Sequence, residues 1–156
     1  MISDTHVPER AQRIPEKFTS LLKKEDFVFH AGDFTSVQTL KIIENFCTVF
    51  AVHGNMDDPE LKSILPERRT EIVSGKKIGL IHGFGAPFSL PERVYRKFDE
   101  KPDVIVFGHS HDPYHRKIEG TLLFNPGSLA GSVFSQKGSY GILNIEDEVW
   151  GEVVYI

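Results

Sequence analysis

Apolar positions along this chain switch repeatedly between a helical and a strand period. Between Pro15 and Lys24, Phe18, Leu21 and Leu22 share one helical face, with Pro15 at a first-turn position. Phe27-Val28-Phe29 predicts a compact strand that ends at His30-Ala31-Gly32-Asp33. Ser36 suits an N-cap for a helix reaching Phe46, with Val37, Leu40, Ile42 and Ile43 on its buried side. A strand over Val49–Val52 leads into His53-Gly54-Asn55, and a short helix follows over Pro59–Ile64. Ile72-Val73 and Ile78–Ile81 predict two strands about a turn at Ser74–Lys77, the second ending at His82-Gly83. Leu90–Phe98 reads as a helix, and Val104–Phe107 as a buried strand ending at Gly108-His109. Strands over Leu122–Phe124, Tyr140–Ile145 and Val149–Ile156 complete the pattern, the last two joined by a turn at Glu146–Glu148.

The first half therefore resembles parallel strand–helix units and the last third antiparallel strands. One α/β domain over 1–156, with a mixed sheet or two facing sheets, fits this order. A chain of 156 residues is long enough for one substantial core. Hydrophobic residues at 40% and charged residues at 26% give an ordinary soluble balance without low-complexity segments. The net charge of −4 argues against a broad phosphate-neutralising surface for nucleic acid. A small phosphorylated substrate stays open, because bound cations would invert the local field. No run approaches the ~20 apolar residues of a membrane span. The first residues lack the basic and apolar regions of a signal peptide. Cys47, the single cysteine, reads as a small core hydrophobe and suits a reducing cytosol. The expected location is cytoplasmic.

Candidate chemistry gathers at the strand ends. Asp4 and His6 are two residues apart, so in extended chain both point the same way; His109 and His111 share that spacing. Asp33 follows a glycine, and its two carboxylate oxygens can bridge two cations. Asn55 offers an amide oxygen and His82 an imidazole. Nitrogen and oxygen donors without thiolate suit manganese, iron, nickel, cobalt or zinc better than calcium. Two such ions about 3.5–4 Å apart would hold phosphoryl oxygens and lower the pKa of a bridging water. Singly these signals are weak, since a Gly-Asx pair commonly forms a turn. Their weight lies in five clusters that recur in one order at successive strand ends.

Taken together, D-x-H, G-D, G-N, H-G and G-H-x-H resemble the calcineurin-like metallophosphoesterase superfamily. Gly54-Asn55-Met56-Asp57 and Asn125-Pro126-Gly127-Ser128 look like its small single-domain bacterial and archaeal phosphodiesterase branch. The resemblance implies a four-layer αββα sandwich with mixed β-sheets. It implies a dinuclear centre of divalent ions, manganese foremost, with nickel, iron, cobalt or zinc as substitutes. Asp4, His6, Asp33 and His111 would hold one ion, and Asp33, Asn55, His82 and His109 the other, with Asp33 bridging. The implied reaction is hydrolysis of small phosphodiesters by a metal-bound hydroxide, without a covalent phosphoenzyme. Asn55 and Asp57 are the catalytic candidates beside the metals. The partner expected is a small phosphodiester, with self-association left open. The alternatives are a non-catalytic protein-binding scaffold of the same fold and a phosphomonoesterase.

Two departures from the family pattern stand out. Many members carry a histidine directly after G-N, where it helps protonate the leaving group; this chain has Met56. General-acid help is worth about 10²–10⁴-fold, so leaving groups of high pKa are expected to react poorly. Asp57 follows, either orienting the site or capping the next helix. The second departure is that only Met1 and Ile2 supply apolar strand residues before Asp4. The expectation is a truncated first strand, neighbours deprived of ladder hydrogen bonds, and weak occupancy of the ion held by Asp4 and His6. His30 and His53 are expected to pack or support, and His115 to lie on a surface loop. Arg68-Arg69 and Lys76-Lys77 are expected to be solvated, and residues 84–88 to form a loop walling the substrate pocket.

Overall fold

The computed structural model describes residues 1–131 and 137–156. In chain order its elements are α1 (Glu16–Thr19), β1 (Phe27–His30), α2 (Val37–Glu44), β2 (Thr48–Ala51), α3 (Pro59–Ile64), β3 (Arg68–Val73) and β4 (Lys76–Ile81). There follow α4 (Leu90–Arg96), β5 (Val104–Val106), β6 (Tyr114–Ile118), β7 (Thr121–Asn125), β8 (Ser139–Ile145) and β9 (Val149–Tyr155). Local chemistry sets several boundaries. The Ser36 hydroxyl accepts from the Thr39 N–H at 3.4 Å to open α2, and the Asp58 carboxylate accepts from the Leu61 N–H at 2.7 Å to open α3.

β1 and β2 pair in parallel, with Phe27 opposite Thr48. Residues 1–3 lie along the other side of β1: the Ile2 N–H donates to the Phe29 carbonyl and the Ala31 N–H to the Ile2 carbonyl, both at 2.9 Å. Beyond them, Met1 donates to the Gly141 carbonyl at 2.7 Å and accepts from the Gly141 N–H at 2.8 Å. Thus β2, β1, residues 1–3, β8 and β9 form one layer. The second sheet has the order β3-β4-β5-β7-β6, parallel through its centre and antiparallel at both edges.

Period-2 alternation assigns the layers. Ile78, Leu80, Val104, Val106, Leu122 and Phe124 fill the space between the sheets with Phe29 and Val52. Ile81, Ile105 and Leu123 face the opposite way and pack under Leu90, Val94 and Phe98 around α4. Phe18, Leu40, Ile43 and Leu61 cover Val28 on the outer face of the first layer. The result is the four-layer αββα order that the resemblance implied. Gly141 and Gly151 leave room for the Phe124 ring against both β8 and β9, which ties the two sheets together.

Several local expectations change. α1 closes at Thr19 rather than Lys24, and Leu21 beyond it is 52% exposed. α2 buries Thr39 instead of Ile42, which faces solvent. β3 starts at Arg68, before the apolar pair that announced it; Arg69 pairs with Glu71, two residues on along the same face. β6 is a polar edge strand that no apolar pattern marks, and His115 is an exposed residue of this strand rather than of a loop. The hydrogen bonds expected to be lost beside Asp4 are made by residues 1–3 on both sides. Among the described residues, no helix is long and apolar enough to cross a membrane.

Candidate metal centre

All the expected ligands come together at the carboxyl ends of the strands. Asp4 and His6 follow residues 1–3, Asp33 follows β1, Asn55 follows β2, His82 follows β4, and His109 and His111 follow β5. Two groups of donor atoms result: Asp4, His6 and His111, and Asp4, Asp33 and His82. In the first, His111 Nε2 lies 3.1 Å from Asp4 Oδ1 and 3.2 Å from His6 Nε2, while His6 Nε2 lies 3.8 Å from Asp4 Oδ1. In the second, Asp33 Oδ2 lies 3.3 Å from His82 Nε2. Asn55 Oδ1 extends that group, at 3.2 Å from His82 Nε2 and 2.9 Å from His109 Nδ1. Bonds of about 2.0–2.2 Å to one ion place its ligands roughly 3–3.4 Å apart, close to these spacings.

Asp33 joins the groups through one oxygen, not two. Its Oδ1 accepts the Met56 N–H at 2.8 Å, while Oδ2 faces His82 and also lies 3.9 Å from His6 Nε2. Asp4 is divided likewise. Its Oδ2 accepts from the Ser3 hydroxyl and from the His109 N–H at 3.1 Å. Its Oδ1 is buried and has no hydrogen-bond donor among the described residues. A buried carboxylate oxygen left unpaired beside two imidazole nitrogens fits a cation. Asp4 also reaches both groups, whereas the family pattern assigned it to one.

The histidine tautomers agree with this arrangement. His82 Nδ1 lies 2.7 Å from the Ala31 carbonyl and His109 Nε2 lies 2.7 Å from the Gly85 carbonyl, so each ring donates outward and turns its other nitrogen to the site. His30 Nδ1 accepts the Gly32 N–H at 3.1 Å, leaving Nε2–H for the Thr5 hydroxyl at 2.6 Å. It stacks on Phe34 and supports the site without facing it.

Burial and charge act together on these groups. Burial alone would raise the carboxyl of Asp4, yet the nearby His111 and His82 rings and the Ser3 hydroxyl bring it to about 2. Burial opposes protonation of His82, but Asp33 and Asp4 raise it to about 9. Burial dominates for His6 and His30, lowered to about 4 and about 3.

The backbone here is not extended. Asp4, His6, Asp33, His109 and His111 all have positive φ, between 47° and 73°. This corrects the extended geometry expected for both two-residue spacings: Asp4 and His6 still meet in one donor group, whereas His109 and His111 diverge, one towards Asn55 and the other towards Asp4. Gly54 and Gly108 permit the close approach, since a Cβ would overlap the Asp33 carboxylate at the first and Ser3 with Asp4 at the second.

Asp57 supports the ligand loops. Its carboxylate accepts the N–H groups of Gly54 at 2.7 Å, Asp33 at 3.1 Å and Thr35 at 2.7 Å, and it is 3% exposed. It therefore positions Asp33 and Asn55 rather than touching reacting atoms, and the helix cap considered for it belongs to Asp58. Asn125 Nδ2 donates to the Gly108 carbonyl and to Ser110 Oγ, both at 3.1 Å. Ser128 Oγ donates to the Asp4 carbonyl at 2.8 Å. Their motif was visible in the sequence, but these roles were not; Ser3 carried no signal.

Two hollows flank the centre. One of about 200 Å³ is lined by His53, Asn55, Lys62, His82 and Phe84. The other, about 510 Å³, includes Phe88, Phe107, Ser110, Tyr114 and Arg116. The loop after His82 contributes Phe84 to one and Phe88 to the other, so it walls both.

Residues 1–148 match the family model of the calcineurin-like phosphoesterase superfamily domain. A Methanothermobacter thermautotrophicus protein named "Probable metallophosphoesterase" is 36% identical over 129 residues, 82% of this chain and 74% of its own. A Methanocaldococcus jannaschii phosphodiesterase is 25% identical over 99% of this chain and 96% of its own. A Thermotoga maritima protein solved by NMR superposes with a TM-score of 0.78 at 40% identity, covering 99% of this chain and 96% of its own. Entamoeba histolytica Vps29, solved with zinc, superposes with a TM-score of 0.74 at 26% identity, covering 99% and 96%.

Proposed function

We propose that this chain, which belongs to the calcineurin-like phosphoesterase superfamily, is a phosphodiesterase that hydrolyses small phosphodiesters at a dinuclear metal centre. The observation that carries this reading is Asp33 Oδ2, one oxygen facing both donor groups, beside the unpaired Asp4 Oδ1. Asp4, His6, His111 and Asp33 would hold one cation, and Asp33, Asn55, His82 and His109 the second. Manganese is the first choice, with nickel, iron, cobalt and zinc compatible with the same donors. Bound cations supply positive charge to phosphoryl oxygens and lower the pKa of coordinated water.

The chain's own residues orient the reaction. Asn55 is exposed at the mouth; with Oδ1 turned to the histidines, its amide nitrogen can donate to a phosphoryl oxygen. Asp57 keeps Asn55 and Asp33 in register through their loop backbones. Met56 puts a thioether where a proton donor would help, so the preferred substrates are diesters whose leaving alcohol departs unassisted. The test compares bis(p-nitrophenyl) phosphate with p-nitrophenyl phosphate, with manganese, nickel, iron, cobalt or zinc in turn, before and after chelation. Diester turnover should exceed monoester turnover, disappear on chelation and return with metal. Absence of turnover with all five metals refutes the proposal, and faster monoester turnover makes the chain a phosphomonoesterase.

The likeness to Vps29 favours a second reading, a protein-binding scaffold of the same fold. Metal analysis with a pull-down separates the two: a metal-free, inactive protein holding a stable partner supports the scaffold.

A further inference from the structure

The loop between His82 and α4 is held in an unusual way. Arg93, on the first turns of α4, donates Nε to the Phe84 carbonyl at 3.2 Å and Nη2 to the same oxygen at 3.1 Å. Nη2 also reaches the Ala86 carbonyl, and Nη1 the Phe88 carbonyl. One guanidinium thus gathers the carbonyls of residues 84, 86 and 88. The intervening Gly85 carbonyl is turned away from it and accepts His109 Nε2 at 2.7 Å. Gly85 has φ +78°, a conformation that costs glycine little. Phe84 completes the arrangement, its ring centroid lying 5.8 Å from the Arg93 guanidinium carbon and 4.8 Å from the Lys97 ammonium.

We infer that Arg93 is a positioning residue for the metal centre: by binding three loop carbonyls it aims the Gly85 carbonyl at His109 and fixes that ring's tautomer. With Nε2 committed as a donor, Nδ1 keeps its lone pair 2.9 Å from Asn55 Oδ1, itself an acceptor; that spacing suits two ligands of the second cation, and without a cation the Asn55 amide must turn its Nδ2–H₂ to the ring. A planar guanidinium spreads its N–H groups across the loop, whereas a lysine ammonium offers its three donors from a single point. The inference rests on the reading of His109 as a ligand of the second cation, but the hold on its ring is measurable without any cation.

Arg93→Ala and Arg93→Lys test it, with Lys97→Ala as the control that removes the other cation on Phe84. In metal-free protein, long-range ¹H–¹⁵N spectra should show wild-type His109 as the Nε2–H tautomer, a mixture of tautomers in both Arg93 variants, and no change in Lys97→Ala. In calorimetric manganese titrations, the second binding step should weaken about tenfold or more in the Arg93 variants, as removal of outer-shell partners does. The first step should stay unchanged. If Arg93→Ala fails to fold, Arg93→Lys decides by the same two measurements. An Nδ1–H tautomer in the wild type overturns the inference, as does a wild-type tautomer and second-step affinity in the folded variants. If the tautomer responds while the wild type hydrolyses no phosphodiester, the functional reading fails and the hold of Arg93 on His109 stands.

Discussion

Asp4, His6, Asp33 and His82 are each no more than 3% exposed, whereas Asn55 is exposed and His109 and His111 are half-buried. The first set forms the floor of the centre, the second its rim. Floor residues are oriented by groups that also belong to the folded core: the Ala31 carbonyl on His82, the buried Asp57 carboxylate on the Asp33 N–H, Ser3 on Asp4. Rim residues are oriented by loop groups such as the Gly85 carbonyl. The difference teaches that floor substitutions should cost both fold and metal, and rim substitutions metal alone.

The sharpest test of the floor is Asp33→Ala. It should remove both cations and reduce hydrolysis to the chelated background, as read by metal analysis and turnover. Retention of one full equivalent of metal would dissolve the distinction between a shared floor and separate sites. Next comes Asp57→Ala, which strips the acceptor from three backbone N–H groups. At about 1–3 kcal/mol for each buried unpaired group, chemical denaturation should show a loss of about 3 kcal/mol or more. On the rim, His111→Ala should weaken the first cation about 100-fold, while stability in the metal-free state stays within about 1 kcal/mol. A larger stability loss there would move His111 to the floor. Gly108→Ala pushes a methyl group into Ser3 and Asp4 and should cost about 1–2 kcal/mol, with metal affinity falling in parallel.

The smallest effect is that of pH on the metal-free protein. Below pH 6.5 the unfolded chain binds protons that folded His6 and His30, with pKa about 4 and about 3, refuse, so stability falls as pH falls. Above 6.5 the folded chain keeps a proton on His82, at about 9, that the unfolded chain has released, which counts against stability as pH rises. The buried Met1 amino group, lowered from 8.0 to about 5, acts in the other direction up to its unfolded value, so denaturation midpoints should peak between about pH 7 and 8, and a flat profile would show that these buried groups titrate as if exposed.

Sequence made the centre of the fold legible because buried strands such as Val104–Val106 are unbroken apolar runs with a cluster at their end. It failed at β6, whose Tyr-His-Arg-Lys-Ile pattern acquires meaning only through its pairing with β7. It also missed the start of β3, where Arg68 and Arg69 carry no burial signal. At the site, the candidate donors and their order were readable, while the left-handed turns that aim them were not. A two-residue spacing cannot tell an extended pair from one in which each residue turns. Asp57 shows the same limit: orienting the site and capping the next helix were equally plausible for it, and only the buried N–H groups around it and the cap made by Asp58 separate the two. Arg93 left no trace in its neighbourhood, because its partners are backbone carbonyls that every sequence supplies.

Left-handed backbone at five candidate ligand positions has a consequence for how ions would enter. Such conformations cost non-glycine residues of order 1–3 kcal/mol each and persist only where surrounding structure over-determines them. That expense is met when the chain folds, before any ion arrives. Ion uptake then involves shedding hydration water and displacing protons, with little ordering of the polypeptide. The centre should load as a rigid chelator does, at a rate set by water exchange on the incoming cation and thus by the choice of metal.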